Sequence, residues 1–267
     1  MPPRDLQNKT ALVTGASSGL GVDFAHILAE RGADLVLVAR RRERLEELAK
    51  ALRAQHGVTV DVVPMDLAEP DAGQALYDEL QARGRDVHVL VNNAGYGTYG
   101  DFVDIPWERE RNMLQLDILT VVHLTKLFVR DMVARDEGWV LQIASIGAYQ
   151  PSPTYATYAA AKSFVLHFGE ALSYELRNTG VKVSVLSPGV TKTEFLDVAG
   201  QKQTCYQRLA MMESRPVAEE GVKMMLRGRP SRVSGLLNRV SIWLLRFTPR
   251  RMMAALAHWL MREPEAG

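Results

Sequence analysis

Near its N-terminus the chain reads Thr10-Ala11-Leu12-Val13-Thr14-Gly15-Ala16-Ser17-Ser18-Gly19-Leu20-Gly21. The first five residues suit a buried strand, and apolar residues then recur at helical spacing until Gly32. Between a strand and a helix, glycines let the backbone approach a pyrophosphate, and the helix N-terminus offers free N–H groups and the positive end of its dipole. We therefore predict that this turn binds a nucleotide. The predicted contacts are Gly15, Ser17, Ser18, Gly19, Leu20 and Gly21.

The alternation of strand and helix continues along the chain. Short apolar runs predict strands at residues 35–39, 59–63, 87–91, 139–143 and 181–186, and a long helix is predicted at about 107–135. Repeated units of this kind imply an α/β fold, in which a doubly wound parallel sheet carries helices on both faces. Ligands of such sheets bind beyond the carboxyl ends of the strands. The residues predicted at those ends are Thr14, Arg40, Asp66, Asn92, Ser145 and Ser187, which we treat as one candidate site.

The domain organisation is predicted to be simple. We assign residues 1–200 to a nucleotide-binding and catalytic domain, and residues 201–267 to an extension of that domain with a substrate lid and basic helices. Residues 201–218 show little periodicity, whereas residues 236–261 mix large apolar residues with arginines, as in helices appended to a core.

Composition limits the compartment and the chemistry. The single cysteine, Cys205, excludes an internal disulfide and fits a reducing compartment. The N-terminus lacks the apolar run of a signal peptide, and no run approaches the roughly 18 apolar residues of a spanning helix. We therefore predict a cytoplasmic protein, soluble or peripheral. The histidines show no metal-ligand spacing, so no metal site is expected.

The C-terminal part is electrostatically distinct. Nine basic residues and no acidic ones lie between Glu220 and Glu263, so a chain of net charge +1 carries −8 elsewhere. An acidic remainder argues against nucleic-acid binding. Residues 236–261 have three interpretations: an amphipathic helix on a lipid surface, an arginine cluster for an anionic substrate such as an acyl-CoA, or a lid or subunit contact with its aromatic stripe buried. We favour the third, and membrane binding is not expected.

A second motif concerns proton transfer. Tyr158 and Lys162 are four residues apart in a helical pattern, so their side chains share a helix face. The ordinary pKa of a tyrosine phenol is about 10, and a neighbouring cation lowers it. Such a pair suits Tyr158 for donating or accepting a proton. Ser145, at the end of the preceding strand, is placed to hold a carbonyl oxygen near that phenol.

In order along the chain, these motifs resemble those of the short-chain dehydrogenase/reductase family. The resemblance covers residues 9 to about 195 and rests on residues 14–21, on Asn92-Asn93-Ala94-Gly95, on Ser145 with Tyr158 and Lys162, and on Pro188-Gly189. It implies a single Rossmann-type domain, a nicotinamide cofactor and interconversion of carbonyl and alcohol. It also implies a homodimer or homotetramer built on the two long helices.

The resemblance also implies a role for each matching residue. Tyr158 would be the general acid, Lys162 would lower its pKa and bind the nicotinamide ribose, and Ser145 would orient the substrate oxygen. The implied cofactor contacts beyond the glycine turn are Asp66, Leu67, Asn92, Ala94, Gly95, Pro188, Gly189 and Thr193, together with Tyr158 and Lys162.

One position departs from the family pattern. Similar enzymes carry an asparagine in the long helix that holds a water in the proton relay, whereas this chain has Asp117. An ionised aspartate accepts hydrogen bonds but cannot donate them, although it would attract the Lys162 ammonium if the two were close. Asp117 therefore belongs to the candidate catalytic set, as a working variant or as a sign of impaired catalysis.

The end of the second strand indicates the cofactor. A carboxylate there accepts from the ribose hydroxyls of NAD and repels a 2′-phosphate, but this chain has Arg40-Arg41-Arg42. Guanidinium groups pair with phosphate in a forked geometry, so Arg40 in particular predicts NADP.

These observations predict an NADP-dependent oxidoreductase that interconverts a ketone and a secondary alcohol on an apolar substrate, such as a 3-oxoacyl chain or a steroid-like ring. Residues 196–212 and the aromatics Tyr96, Tyr99, Tyr149 and Tyr155 are predicted to line its pocket. The alternative is a regulatory protein that keeps the fold and cofactor but has lost turnover, for which Asp117 is the one supporting feature.

Overall fold

A computed structural model describes residues 4–262, with the side chain of Cys205 excepted. The strands are β1 (Thr10–Thr14), β2 (Asp34–Ala39), β3 (Val60–Pro64), β4 (Val87–Asn92), β5 (Gly138–Ile143), β6 (Val181–Ser187) and β7 (Ser231–Val233). The helices are α1 (Gly19–Glu30), α2 (Arg42–His56), α3 (Ala72–Ala82), α4 (Trp107–Leu114), α5 (Val121–Ala134), α6 (Ala156–Glu175), α7 (Phe195–Ala199), α8 (Cys205–Ala210), α9 (Ser214–Leu226), α10 (Leu236–Leu245) and α11 (Arg250–Met261).

The strands form one sheet in the order β3-β2-β1-β4-β5-β6-β7, and every neighbouring pair is parallel. The predicted doubly wound α/β fold is confirmed. The chain winds outward in one direction from β1 to β3 and in the other from β4 to β7, so the order reverses between β1 and β4. A crevice opens at such a reversal, beyond the carboxyl ends of the strands.

Two apolar cores lie on the two faces of the sheet. Because successive side chains of a strand point to opposite faces, Leu35 and Leu37 pack in the core under α1, α2 and α9, whereas Val36 and Val38 pack in the core under α3 and α5. A strand buried on both sides reads as an unbroken apolar run rather than an alternating one.

The glycine turn holds α1 close to the sheet. A Cβ on Gly21 would lie 2.2 Å from the carbonyl oxygen of Gly15, a distance that no side chain tolerates. Thr14 ties the turn to the next crossover, because its hydroxyl donates to Val91 O at 3.1 Å and accepts from the backbone N–H of Ala94 at 3.0 Å. The turn is therefore set by backbone approach and one buried hydroxyl.

The predicted long helix is interrupted. A π-helical turn at Gln115–Thr120 separates α4 from α5 within a continuous helical run from residue 107 to 134. This run is long and apolar enough to cross a membrane by length and composition, but it packs against α3, β4 and α6 as a core helix of the domain. The predicted long helix is therefore present at nearly its predicted bounds, but its periodicity did not indicate the π turn that carries Asp117.

The C-terminal part divides differently from the prediction. Helix α9 packs on α1, and β7 pairs with β6 in register from Val185 and Ser231 onward. These elements belong to the sheet and its covering layer, so residues 201–267 are not wholly an appended extension. Within the described part of this segment, α10 and α11 follow Gly235 and pack mainly on the edge of the domain, α10 beside the 3-10 turn after β5 and α11 beside α8.

The aromatic stripe of these last helices is exposed. Trp243 is 55% exposed, Phe247 71% and Trp259 71%, and α10 contains no fully buried residue. Among the described residues no other element buries this stripe, so the lid is wrong within the chain, whereas the subunit contact, which was the other half of the favoured interpretation, stays a prediction. The first turn of α10, through Asn238, and the end of α11, through Met261, nevertheless reach the candidate site.

Candidate active site

A cleft of about 570 Å³ runs along the carboxyl edge of the sheet. At one end it meets the glycine turn and the ends of β2 and β3, and at the other it meets α7, α8 and the end of α11. The sequence-predicted residues that line it are Gly15, Ser17, Ser18, Gly19, Leu20, Arg40, Asp66, Leu67, Ala94, Gly95, Ser145, Tyr158, Lys162, Pro188, Gly189 and Thr193.

Ser145, Tyr158 and Lys162 meet in the middle of the cleft. Ser145 follows β5 and caps a 3-10 turn, where its Oγ accepts from the backbone N–H of Gly147 at 3.1 Å. The Ser145 hydroxyl lies beside the Tyr158 phenol and lowers its pKa, and the Lys162 Nζ lies 5.7 Å from the centre of the Tyr158 ring. Two adjacent hydroxyls held from separate elements suit recognition of one carbonyl oxygen.

Behind them lies a buried ion pair. The Asp117 carboxylate is 2.9 Å from the Lys162 Nζ, and Asp117 is fully buried. Lys162 also donates to Ile143 O at 3.2 Å, and Asp117 Oδ1 accepts from the backbone N–H of Tyr96 at 3.3 Å. Gly95 makes room for the pair, because a Cβ there would lie within 3.0 Å of Lys162 Nζ and closer to Asp117.

Burial and charged neighbours act on the Tyr158 phenol. Burial and the charge of Asp117 raise the pKa of the Tyr158 phenol well above its ordinary value, and the hydrogen bond with Ser145 only partly offsets them. The Lys162 ammonium lies 2.9 Å from the Asp117 carboxylate, so the two charges act on the phenol in opposite directions, and the lowering of its pKa by Lys162 stays a prediction. Burial likewise raises the pKa of Asp117, and Lys162 opposes that rise.

Arginine side chains lie at the end of the cleft that meets the glycine turn. Arg41 donates to the Ser17 hydroxyl at 3.0 Å and pairs with Glu194 at 2.7 Å, and Arg44 also pairs with Glu194, at 2.5 Å. Arg40 is 70% exposed, 3.7 Å from the Asp66 carboxylate. The prediction singled out Arg40, but Arg41 is the better placed of the two beside the glycine turn. A run of three arginines could not show from sequence alone which of them turns into the cleft.

These groups fit a dinucleotide with an extra phosphate. The α1 N-terminus has no side-chain cap, so its first N–H groups are available for a pyrophosphate, as expected of a strand–turn–helix unit. A Cβ on Gly19 would lie 2.7 Å from Thr193, so only glycine lets the two walls of the cleft approach here. Arg40, Arg41 and Ser17 would surround a 2′-phosphate at the end of β2.

Some predicted residues do not line the cleft. Asn92 is buried and donates to Thr125 at 2.9 Å and to Gln142 at 3.1 Å, so it braces β4 against its neighbours instead of closing the cofactor pocket. The next residue, Asn93, lines the cleft and donates to Thr14 O at 2.9 Å. Neighbouring side chains point to opposite sides, but both faces of this sheet are covered, so the sequence did not show which of the two asparagines turns to the cleft.

Three other residues predicted at the site act elsewhere. Gly21 and Thr14 shape the turn from within, as described above, and Ser187 is buried with its hydroxyl 3.4 Å from that of Tyr149. Thr14 and Ser187 are the last residues of their strands, and the end of a strand does not fix the direction of a side chain.

The substrate end is aromatic and apolar. Tyr96 and Tyr155 line it as predicted, whereas Tyr149 does not, and Tyr99 packs behind Tyr155 with the ring centres 5.3 Å apart. The Phe195 ring centre lies 5.3 Å from that of Tyr158. The other lining residues here are Leu196, Val198, Gln207 and Met261, of which only Met261 lies outside the predicted stretch 196–212.

A buried amide network fixes this wall. Gln201 donates to Met261 O at 2.9 Å, and its own oxygen accepts from Gln207 at 2.6 Å and from the Tyr155 hydroxyl at 2.9 Å. Thr204 and Gln207 form a capping box that starts α8. The T-x-x-Q spacing was a usable sequence signal for that helix, and sequence analysis missed it.

A doubly wound sheet, a glycine turn that opens α1, and a Ser–Tyr–Lys set in the same cleft define a nucleotide-dependent oxidoreductase class. The family model for short-chain dehydrogenases matches residues 9–204, so the chain belongs to this family. As a member, it is an oxidoreductase of the type that uses a nicotinamide cofactor and acts on alcohols or ketones.

Similar proteins include steroid and acyl-chain enzymes. The chain is 31% identical over 193 residues to a 7β-hydroxysteroid dehydrogenase of Collinsella aerofaciens, which covers 72% of this chain and 73% of that one. It is 36% identical over 181 residues to a very-long-chain 3-oxoacyl-CoA reductase of Pyricularia oryzae, covering 66% and 54%.

Solved structures show the same fold. A structure from work on 7β-hydroxysteroid dehydrogenase stereoselectivity has a TM-score of 0.86 at 26% identity and covers 96% of this chain and 99% of its own. A short-chain dehydrogenase from Sphingobium yanoikuyae in complex with NADPH has a TM-score of 0.80 at 30% identity, covering 91% and 97%.

Proposed function

We propose that this protein is an NADP(H)-dependent enzyme that interconverts a ketone and a secondary alcohol on an apolar substrate of the steroid-like or 3-oxoacyl kind. The observation that carries the proposal is the paired Ser145 and Tyr158 hydroxyls, at the point where the glycine-lined groove meets the aromatic pocket. Similarity to hydroxysteroid dehydrogenases and 3-oxoacyl-CoA reductases supports this substrate class.

In the proposed reduction, Tyr158 is the proton donor. The bound nicotinamide supplies the hydride. Ser145 donates a hydrogen bond to the substrate oxygen, while Gly147 N–H holds the Ser145 Oγ in place. Tyr158 then passes its proton to the same oxygen as negative charge develops there. Burial and the charge of Asp117 raise the pKa of Tyr158, so the phenol carries the proton that the reduction requires.

The choice of NADP rests on the cations beside the glycine turn. Arg40 and Arg41 lie at the end of β2, where an NAD enzyme usually places a carboxylate. Two guanidinium groups and the Ser17 hydroxyl would give a 2′-phosphate several charge-assisted hydrogen bonds. The NADPH complex of a similar structure supports this choice.

The test is a panel of ketones and alcohols monitored by NADPH absorbance. We expect turnover of steroid-like ketones or 3-oxoacyl thioesters with NADPH, and much less with NADH. Turnover confined to small polar ketones would contradict the apolar pocket. Turnover with NADH alone would contradict the role of the arginines.

A regulatory protein that binds the cofactor without turnover is the second candidate. It is favoured by one observation, the buried pair in which Asp117 engages the Lys162 ammonium at 2.9 Å. NADPH binding without turnover of any panel member, combined with activity in Asp117→Asn, would support this candidate.

The remaining expectations stay proposals. We propose a homodimer or homotetramer that uses α5 and α6, since Val133 on α5 and Phe164 on α6 are exposed. A cytoplasmic location is proposed from composition alone.

A further inference from the structure

Helix α10 carries an exposed apolar stripe along its length. Leu236, Val240, Trp243 and Phe247 are spaced by four, three and four residues, which places them on one face. Trp243 and Phe247 stack edge to face, with ring centres 5.1 Å apart. The opposite face turns inward, where Asn238 donates to Ser234 O at 2.9 Å.

Helix α11 repeats the arrangement. Met252, Leu256 and Trp259 are exposed at spacings of four and three, whereas Ala257 on the other side is buried. Of the 18 exposed large hydrophobic side chains in the described chain, nine lie in these two helices and the turn between them. Soluble monomers rarely expose apolar surface concentrated in this way without a partner.

Arginines flank both stripes. Arg239 and Arg246 are seven residues apart and so lie along one border of the α10 stripe, and Arg250 and Arg251 begin α11. No acidic residue lies between positions 220 and 263. The face is therefore apolar in its middle, basic at its edge and free of negative charge, which is the composition of a helix that lies in the headgroup layer of an anionic membrane.

We infer that α10 and α11 form a docking surface for an anionic lipid bilayer. A second copy of the chain fits the apolar stripes but not the charges, since a two-fold contact would bring arginines against arginines. An acyl-CoA in solution fits the charges, but a single acyl chain is too small to cover the apolar stripes of both α10 and α11. An anionic bilayer matches both features. This inference replaces the interpretation favoured from sequence, in which vesicle binding is weak or absent.

The docking surface borders the substrate end of the cleft. Met261, the last residue of α11, lines the cleft, and its carbonyl is held by Gln201. At the start of α10, Asn238 packs on Gly189, where a Cβ would lie 2.2 Å from its Nδ2. An apolar molecule held in the bilayer therefore has a short path to the pocket. The docking itself does not depend on the proposed reaction.

The experiment is co-sedimentation of the full-length protein with vesicles of phosphatidylcholine alone, or of equal parts phosphatidylcholine and phosphatidylglycerol, at low and high salt. We expect binding to the anionic vesicles only, weakened by salt. The double variant Trp243→Asp, Phe247→Asp should bind at least about tenfold less. Arg239→Gln and Arg246→Gln should each cost about fivefold.

The matched control is Phe102→Asp with Trp107→Asp, which alters the same residue types at a similar exposure, 64% and 63%. It should retain binding within about twofold. Equal loss in this control would overturn the assignment of the surface.

Three further outcomes would also overturn the inference. One is wild-type protein that ignores anionic vesicles, a result that needs no variant to fold. Another is a pair of results that would show a subunit contact. In that case the wild type does not bind vesicles, and sedimentation velocity finds a smaller oligomer for Trp243→Asp, Phe247→Asp than for the wild type. The third is binding of palmitoyl-CoA that depends on Arg239 and Arg246 while vesicles are ignored.

Discussion

At the scale of single residues, the chemistry rests on the Tyr158 phenol. Tyr158→Phe removes the hydroxyl and keeps the ring, so we expect turnover to fall at least about 100-fold, the scale of losing a general acid, with NADPH binding unchanged. Steady-state kinetics and fluorescence titration measure the two quantities. Tyr174→Phe, an exposed tyrosine on the same helix, is the control and should be silent. Near-normal turnover in Tyr158→Phe would refute the proton-donor role.

Asp117 sets the pH range in which that phenol works. Reduction needs protonated Tyr158, so it is complete below the Tyr158 pKa and is lost as pH rises through it. Because the Asp117 charge raises this pKa, Asp117→Asn should lower it and move the alkaline limb of the reduction profile to lower pH.

The matched control is Asp61→Asn, which breaks a partly buried ion pair with Arg85 far from the cleft. It should leave the pH profile of reduction in place. An identical profile for Asp117→Asn and the wild type would mean that the Asp117 charge does not reach Tyr158.

We expect substitutions of the three arginines after β2 to differ in their effect on NADP binding. Arg40→Ala and Arg41→Ala should each weaken NADP binding by roughly 1.5–3 kcal/mol, the value of a lost charge-assisted contact, and should leave NAD binding nearly unchanged. Arg42 pairs with Glu46 on the surface of α2, so Arg42→Ala is the control. Calorimetric titration with both nucleotides measures this.

Arg41 has a second effect through Glu194. Removing Arg41 takes away one of the two cations that Glu194 pairs with, and the carboxylate would then repel the phosphate. Arg41→Ala with Glu194→Gln should therefore recover part of the loss. Equal losses for NADP and NAD in Arg40→Ala and Arg41→Ala would remove the phosphate role from both.

At the scale of secondary-structure elements, the capping box of α8 supports the substrate wall. The Thr204 Oγ1 accepts from Gln207 N–H at 3.2 Å and donates to Leu260 O at 3.3 Å, so it joins α8 to α11. Thr204→Ala should lower the free energy of unfolding by about 1 kcal/mol and raise the KM for apolar substrates. Urea denaturation and kinetics check both. Thr204→Ser keeps the hydroxyl and should behave like the wild type, whereas an unchanged KM in Thr204→Ala would show that the wall stands without the cap.

At the scale of the whole molecule, the exposed side of α6 predicts self-association. Phe164 is exposed and stacks on Phe168 with ring centres 5.8 Å apart. Phe164→Arg should weaken a dimer at least about tenfold, as loss of a central aromatic contact does. Sedimentation velocity over a concentration series measures this, with Phe102→Arg as the exposed control. A wild-type protein that stays monomeric throughout would refute the α5–α6 interface.

The sequence by itself determined six of the seven strands found in the described residues, the doubly wound fold and the position of the glycine turn, but it did not indicate β7. Those features depend on local patterns: the apolar runs of the strands, the glycines at 15, 19 and 21, and the four-residue spacing of Tyr158 and Lys162. Each of these patterns lies within a single strand, turn or helix, so neighbouring residues in the sequence are enough to recognise it. The carboxyl ends of parallel strands then meet at one edge, so residues far apart in the chain were predictable neighbours.

Only the tertiary structure shows which charged groups surround Tyr158 and which residues form the walls of the cleft. The raised pKa of Tyr158 depends on a carboxylate 41 positions earlier in the chain, brought to Lys162 by a π-helical turn that periodicity does not show. The choice of Asn93 over Asn92, the part played by Arg41 and the position of Met261 follow from side-chain direction and long-range packing. The exposure of the α10 stripe is of the same kind, because an amphipathic pattern marks an apolar face but not what covers it.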